Sequence, residues 1–305
     1  MSIAFIYPGQ GSQYVGMGKD LYEQYPLVKD LYENADKILG FELTRICFGG
    51  PEEELKQTYV TQPAIFTHSI AVTKLIKEKF SPSFAAGHSL GEYTSLVTAG
   101  ALSFEDGLKL VKLRGEQMQI AGTVNRGTMA AVIGLDTKLV EEACSEASPT
   151  GIVQVANFNS PGQVVISGSV EGVKSAMVIA KQKGAKLVKE LVVHGAFHSP
   201  LMEPAKIELK KALDNTEFNK VKIPVYRNVD AKPTTPETDV SEIRDSLYRQ
   251  LTSSVRWEES VINMVNDGAS EFIELGPGKV LQGLVKRINS AVAIRGFDKV
   301  SDIKS

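Results

Sequence analysis

The sequence has few cysteines, little net charge and no long apolar run, and each absence argues against a class of protein. Its only cysteines, Cys47 and Cys144, form no spaced pair that could ligate a metal or build a disulfide framework. Its 34 basic and 36 acidic residues leave a net charge of −2, which gives no reason to expect binding to nucleic acid or an anionic membrane. No stretch approaches the roughly 18 apolar residues of a membrane span, and the run at 3–7 is too short for a signal peptide. We therefore expect a cytoplasmic globular protein.

Strand-like and helix-like patterns alternate along the outer parts of the chain, which predicts a mostly parallel sheet. Strands are predicted near 3–7, 84–86, 223–229 and 271–275. Helices are predicted across 21–32 and over 64–80, 91–99, 104–120, 201–214 and 279–288. The segment 232–237 has two prolines and two threonines and is interpreted as a surface loop.

The middle of the chain has a different pattern. Strand, helix, strand, strand, helix and strand are predicted at 128–133, 137–147, 152–157, 164–167, 170–183 and 186–193. This β-α-β-β-α-β order is the ferredoxin-like pattern. We therefore predict an α/β protein with two parts. Residues 1–124 and 196–305 form a large α/β-hydrolase-like catalytic subdomain, and 125–195 form a small ferredoxin-like subdomain inserted into it.

Residues 87–91 read G-H-S-L-G and lie between a predicted strand and a predicted helix. This G-x-S-x-G pattern is typical of a nucleophile elbow, a tight turn on which flanking glycines let the chain approach itself. The turn exposes the hydroxyl of Ser89, and it places the backbone N–H of Leu90 where an oxyanion would form. The glycine-rich start of the chain argues against nucleotide binding. The third glycine of a G-x-G-x-x-G pattern begun at Gly9 is replaced by Tyr14, and Asp20 follows Gly18-Lys19 where a P-loop needs Ser or Thr.

A serine nucleophile needs a base, and the chain has four histidines. His68 lies in a helical pattern and is interpreted as a packed or surface residue, and the side chain of His88 should point away from that of its neighbour Ser89. His194 and His198 remain, and His198, deeper in the loop, is the preferred base. Because no acidic residue between Ser89 and His198 lies at an obvious strand end, a backbone carbonyl is a possible orienting group, unlike in ordinary α/β hydrolases.

These residues lie in segments that resemble the malonyl-CoA:acyl carrier protein transacylases and the related acyltransferase domains of polyketide synthases. The similarity covers nearly the whole chain. It is carried by segments at 8–13 (PGQGSQ), 87–92 (GHSLGE), 114–118 (RGEQM), 159–168 (NSPGQVVISG), 197–200 (FHSP), Gln250 with 255–257 (VRW), and 276–281 (GPGKVL).

The resemblance implies a ping-pong reaction without a resident metal or cofactor. Ser89, activated by His198, takes a malonyl group from malonyl-CoA and passes it to the phosphopantetheine thiol of an acyl carrier protein. It also implies that the backbone N–H groups of Gln10 and Leu90 form the oxyanion hole and that the carbonyl of Gln250 orients His198. Arg114 would pair with the malonyl carboxylate, a task that suits a two-pronged guanidinium. The resemblance places Met118 and Phe197 in the substrate-binding region as well.

Residues 195–198 read G-A-F-H, which keeps the Phe of the malonyl-specific H-A-F-H pattern and lacks its first His. Bulky Phe197 should favour malonyl over methylmalonyl. The sequence leaves open whether the product is used in fatty acid or polyketide synthesis, and Phe197 slightly favours polyketide synthesis. A proofreading thioester hydrolase and an inactive scaffold are the alternatives. Arg114, which would hold a carboxylated acyl group, argues against the hydrolase, and the intact set of Ser89, His198 and Arg114 argues against the scaffold. Lys286 and Arg287 are candidates for contacting an acidic carrier protein, and a monomer is the default expectation.

Overall fold

The computed structural model describes residues 2–304, which form two β-sheets surrounded by helices. The strands are β1 (Ser2–Tyr7), β2 (Phe84–Gly87), β3 (Gly127–Ile133), β4 (Val153–Ser160), β5 (Gln163–Ser169), β6 (Leu187–Glu190), β7 (Val225–Tyr226), β8 (Pro233–Thr234), β9 (Ala269–Leu275) and β10 (Ala293–Phe297). The helices before the second sheet are α1 (Lys19–Gln24), α2 (Pro26–Leu39), α3 (Leu43–Gly49), α4 (Glu52–Leu55), α5 (Thr58–Ile76), α6 (Gly91–Thr98) and α7 (Phe104–Val124). The later helices are α8 (Thr137–Ala147), α9 (Val170–Gln182), α10 (Ala205–Asn215), α11 (Val240–Gln250), α12 (Trp257–Asn266), α13 (Val280–Ile288) and α14 (Val300–Lys304), with 3₁₀ turns at Ser148–Thr150 and Pro200–Met202.

The larger sheet has the strand order β10-β9-β1-β2-β7-β8, and all its pairs are parallel except that of β7 with β8. Its central strand β1 is apolar, and residues 4–7 are buried, as expected for a strand covered on both faces. In open α/β sheets the binding crevice lies beyond the carboxyl ends of the strands. Here β1 leads into 8–13 and β2 leads into Ser89, so this edge brings the two predicted segments together.

The smaller sheet is antiparallel and has the order β4-β5-β3-β6. With α8 and α9 this gives the β-α-β-β-α-β arrangement expected from the sequence. It has its own apolar cluster, which includes Val132, Val140, Ile166 and Val173. The predicted fold class is thus confirmed, a mostly parallel sheet with a separate antiparallel one. The boundaries proposed for the two subdomains stay a prediction.

Several local predictions were wrong. The helix predicted across 21–32 is two helices, because Pro26 takes the first position of α2 and Tyr25 before it is extended. The predicted loop 232–237 contains β8, which pairs antiparallel with β7 at the sheet edge, where Pro233 is tolerated. The strand expected over 223–229 is only Val225–Tyr226.

Other helix boundaries also differ from the prediction. The helix predicted over 64–80 begins earlier, at Thr58, with Pro63 inside it, and ends at Ile76. The helix expected near 201–214 is a 3₁₀ turn followed by α10. Along residues 2–304, no helix combines the length and the apolar character that a membrane crossing requires.

Candidate active site

Ser89 lies on a sharp turn between β2 and α6, in a backbone conformation that side-chain-bearing residues seldom adopt. Its φ angle is 52°. The turn depends on the flanking glycines. A Cβ on Gly87 would overlap the backbone of Gly91, and a Cβ on Gly91 would overlap the carbonyl oxygen of Tyr7. The G-x-S-x-G segment therefore builds the elbow that its sequence predicts, with Ser89 held at its tip.

Asn228, in the loop after β7, bonds to both sides of this strained turn. Its Oδ1 accepts from the backbone N–H of Ser89 at 2.6 Å, and its Nδ2 donates to the carbonyl oxygen of Gly87 at 2.7 Å. These bonds satisfy backbone groups that the turn leaves without partners. The N–H of Ser89 is thereby occupied. In the part of the chain that is described, the N–H groups of Gln10 and Leu90 have no acceptor, and both residues line the cavity beside Ser89.

The imidazole of His198 reaches Ser89 from 109 residues further along the chain, with Nε2 2.8 Å from the serine Oγ. Its other nitrogen, Nδ1, lies 2.9 Å from the carbonyl oxygen of Gln250 and 3.1 Å from that of Ser253. Carbonyl oxygens only accept hydrogen bonds, so Nδ1 carries the proton and Nε2 has a free lone pair for the serine hydroxyl. Backbone carbonyls hold the position that an acidic residue takes in ordinary serine hydrolases.

The pKa of His198 is lowered to about 3. Burial, which disfavours the charged imidazolium, is the larger cause, and the nearby positive charge of Arg114 adds to it; the hydrogen bond to Gln250 opposes both. The imidazole of the free protein is therefore neutral at physiological pH, which is the state that can accept the proton of Ser89.

We expect the His198 imidazole to stay neutral when the pH falls from 8 to 5, since its lowered pKa lies below this range. Nuclear magnetic resonance of protein labelled at the histidine rings tests this, with the His198→Asn variant identifying the resonance. A His198 resonance that titrates near pH 6.5 would contradict the assignment of a buried, neutral base.

Arg114 projects from α7 to the same point and is 1% exposed. Its Nη2 donates to Ser89 Oγ at 2.9 Å and to Gln250 Oε1 at 3.0 Å, and its Nη1 donates to Gln62 Oε1 at 2.7 Å. All three acceptors are uncharged, and Nε has no partner among the residues described. Buried charges are normally paired, so this guanidinium beside the nucleophile is suited to an anionic ligand.

A cavity of about 240 Å³ opens beside these groups. Its wall includes the predicted residues Gln10, Leu90, Arg114, Met118 and Phe197, together with Ser89 and His198. Met118 is 2% exposed and Phe197 6% exposed, so both are packed side chains that contribute apolar surface to the wall of the cavity. The predicted site residues are thus brought together, with Gln250 directly behind Arg114 and His198. The roles predicted for them stay predictions.

The other histidines lie outside the Ser89–His198 pair. His68 is buried, with Nε2 2.8 Å from Asp298 and Nδ1 near Tyr32. His88 points away from the serine, as expected for neighbours on such a turn, and its Nε2 bonds to Oδ1 of Asn159 at 2.8 Å. His194 is exposed.

Sequence reasoning missed three polar residues of the site: Gln62, Asn228 and Glu92. Glu92 is 2% exposed and accepts from the side chain of Gln250 at 2.7 Å and from the backbone N–H of Asn228 at 3.0 Å. Burial raises its pKa to about 7, against the lowering effect of these hydrogen bonds. Only Glu92 could have been found from the sequence, because it belongs to the 87–92 segment and lies in the first turn of the helix that follows Ser89. Gln62 and Asn228 have no sequence feature that marks them as residues of the site.

Comparison with known proteins places this geometry in a family. The sequence model described as "Acyl transferase domain" matches residues 4–303. The malonyl CoA-acyl carrier protein transacylase of Bacillus subtilis is 48% identical over 289 residues, 94% of this chain and 90% of that protein. The protein of the same name from Escherichia coli K12 is 45% identical over 300 residues, covering 98% and 96%.

Solved structures agree in fold. The acyl carrier protein S-malonyltransferase of Vibrio cholerae superposes with a TM-score of 0.94 at 44% identity, over 100% of this chain and 99% of the other. A malonyl-transacylase solved in complex with a type II PKS acyl-carrier protein gives 0.95 at 40% identity, over 100% and 98%.

Proposed function

The chain belongs to the acyl transferase domain family, and we propose that it transfers a malonyl group from malonyl-CoA to the phosphopantetheine thiol of an acyl carrier protein. The observation that carries this proposal is the pairing of two features at one point. Ser89 Oγ lies 2.8 Å from the neutral base His198 and 2.9 Å from Arg114, whose other acceptors are uncharged. A nucleophile beside a buried cation whose hydrogen-bond acceptors are all uncharged suits an acyl group that carries its own carboxylate.

In the first half-reaction the proton of Ser89 moves to His198 Nε2 while Oγ attacks the thioester carbonyl of malonyl-CoA. The resulting oxyanion is stabilised by the N–H groups of Gln10 and Leu90. The carbonyl oxygen of Gln250 stabilises the imidazolium through Nδ1–H. When the carbon–sulfur bond breaks, His198 returns its proton to the departing coenzyme A thiolate, and the malonyl group is left as an ester on Ser89.

The second half-reaction runs the same steps with a different thiol. The phosphopantetheine thiol of the carrier protein gives its proton to His198 and attacks the ester carbonyl. The same oxyanion hole is used, and His198 protonates Ser89 as the ester breaks. Coenzyme A enters as part of a substrate, and every proton is handled by protein groups, so the proposed chemistry needs no resident metal or cofactor.

A transfer assay tests this function against thioester hydrolysis. The protein is loaded with labelled malonyl-CoA and then mixed with a panel of phosphopantetheinylated carrier proteins from fatty acid and polyketide pathways. We expect the label to move to at least one carrier protein, and the preferred carrier assigns the pathway. Prompt release of free malonate, with no carrier labelled, would instead identify a hydrolase.

Phe197 is expected to make the protein prefer malonyl-CoA over methylmalonyl-CoA, because its ring leaves little room for a methyl at C2. One methyl is worth about 1–3 kcal/mol, so we expect kcat/KM to differ by roughly 5- to 150-fold. The Phe197→Ser variant should narrow this ratio. Equal kcat/KM for the two donors in the natural protein would contradict the assignment.

The carrier protein must present its phosphopantetheine arm at the mouth of the cavity. Val280, Leu281 and Leu284 of α13 line that cavity, and Lys286 and Arg287 follow on the same helix. The side chain of Arg287 contacts Gln163 of β5, another lining residue. These positions support the proposal that Lys286 and Arg287 meet an acidic carrier protein. We propose that the protein acts as a monomer in this reaction.

A further inference from the structure

Glu92 is a buried carboxylate of the site to which the proposed mechanism gives no task. It lies three residues after Ser89, in the first turn of α6. Its partners are all neutral: the side-chain amide of Gln250, the backbone N–H of Asn228 and, at 3.5 Å, the hydroxyl of Ser246. Among the described residues no cation contacts its carboxylate, and Arg114 and Arg227 offset its burial only from a distance, so it is held at a cost in stability. We therefore expect Glu92 to contribute through the residues that it holds in place by hydrogen bonds.

The amide of Gln250 has donor and acceptor sides that face different groups. Its Nε2 donates to Glu92 Oε2 at 2.7 Å and to the carbonyl oxygen of Ser89 at 3.0 Å. Its Oε1 accepts from Arg114 Nη2 at 3.0 Å. The carbonyl of Ser89 only accepts and Arg114 only donates, so the reverse orientation would break these bonds. Glu92 supplies the shorter of the two bonds that hold the NH₂ side.

Arg114 in turn depends on that orientation. Gln62 and Gln250 hold the two ends of its guanidinium, which points Nη2 at Ser89 and leaves Nε without a partner among the residues described. If the Gln250 amide lost its hold on Glu92, it could turn or withdraw from Arg114. The guanidinium would then no longer be fixed relative to the acyl carboxylate, and a bidentate pair depends strongly on such geometry.

We propose that Glu92 is a positioning residue that, through Gln250, aims Arg114 at the carboxylate of the acyl donor and so helps to set the preference for malonyl over uncharged acyl groups. This inference rests on the proposed function, since it assigns the device that selects the donor. The hydrogen bond to Gln250 depends on the reach of the acceptor rather than on its charge, because a carboxylate, a carboxylic acid and an amide each offer an oxygen to Gln250 Nε2.

Two conservative variants separate reach from charge. Glu92→Gln keeps the length and the acceptor and removes the charge, whereas Glu92→Asp keeps the charge and withdraws the acceptor by one methylene. The readout is the ratio of kcat/KM for malonyl-CoA to that for acetyl-CoA, which lacks the carboxylate that Arg114 would bind. We expect Glu92→Asp to lower this ratio about five-fold or more, and Glu92→Gln to leave it within about three-fold of the natural protein.

Two further variants complete the test. Gln250→Met removes the amide while keeping the backbone carbonyl that faces His198, and it should lower the same ratio. Ser95→Ala, which removes a buried hydroxyl one turn along α6, should leave it unchanged. Three results would overturn the inference. One is an equal fall in kcat/KM for malonyl-CoA and acetyl-CoA in Glu92→Asp, and another is an unchanged ratio in Gln250→Met. The third is a ratio in Glu92→Gln as low as that in Glu92→Asp. Failure of the natural protein to transfer malonyl at all would instead reject the proposed function.

Discussion

The Ser89→Ala variant is expected to lose malonyl transfer by about 10⁴-fold or more and to form no covalent acyl-protein, because the chain then has no nucleophile at the elbow. Binding of malonyl-CoA should persist, since Arg114 and the cavity remain. The measurement is the steady-state rate of transfer, together with the mass of the protein after brief incubation with malonyl-CoA.

Ser95→Ala is the matched control for this prediction. Its hydroxyl is buried in α6, two turns from the tip of the elbow at most, and donates to the carbonyl oxygen of Gly91 at 3.0 Å. Its removal should cost about 1 kcal/mol of folding stability and leave transfer near that of the natural protein. A Ser89→Ala protein that still accumulated a malonyl adduct would show that another group carries the acyl chain.

The Arg114→Ala variant is expected to lower kcat/KM for malonyl-CoA by about 100-fold or more, while that for acetyl-CoA changes far less. Removing a buried cation that pairs with a substrate carboxylate is worth about 3 kcal/mol or more. Arg114→Lys should restore little of the malonyl preference, because an ammonium is a point charge without the planar fork. The measurement is the ratio of kcat/KM for malonyl-CoA to that for acetyl-CoA in the natural protein and in the two variants.

A difficulty in that experiment is that Arg114 also donates to Ser89 and Gln250, so its loss disturbs the nucleophile. Taking the ratio of kcat/KM for the two donors cancels this shared effect, since both donors acylate the same serine. An unchanged malonyl preference in Arg114→Ala would count against pairing with the acyl carboxylate. The same outcome would remove the basis for the role proposed for Glu92.

How much the sequence predicts depends on how far apart the interacting residues lie. The elbow is encoded in five consecutive residues, and its glycines are required by backbone contacts within the turn and with β1, so local reasoning finds it. The pairing of Ser89 with His198 spans 109 residues, and residue chemistry alone left His194 open beside His198. Only the resemblance to a family pointed to Gln250 and Arg114 as their neighbours.

The residues that were missed have no local signature. Asn228 follows a strand of two residues and looks like any loop asparagine, although it bonds across the elbow. The antiparallel strand β8 was predicted as a loop, because its two residues read as a turn and its pairing with β7 is tertiary. Gln62 was missed because it lies in a helix whose polar side chains are buried almost all round.

The central claim is that the hydroxyl of Ser89, held within reach of neutral His198, carries the acyl group between two thiols. The most direct measurement is peptide mapping by mass spectrometry after brief mixing with malonyl-CoA, repeated after a phosphopantetheinylated carrier protein is added. We predict one malonyl group on the peptide that contains Ser89, and its loss in step with the appearance of malonyl on the carrier thiol. A carrier protein that becomes malonylated while the peptide with Ser89 never carries the group would contradict the mechanism.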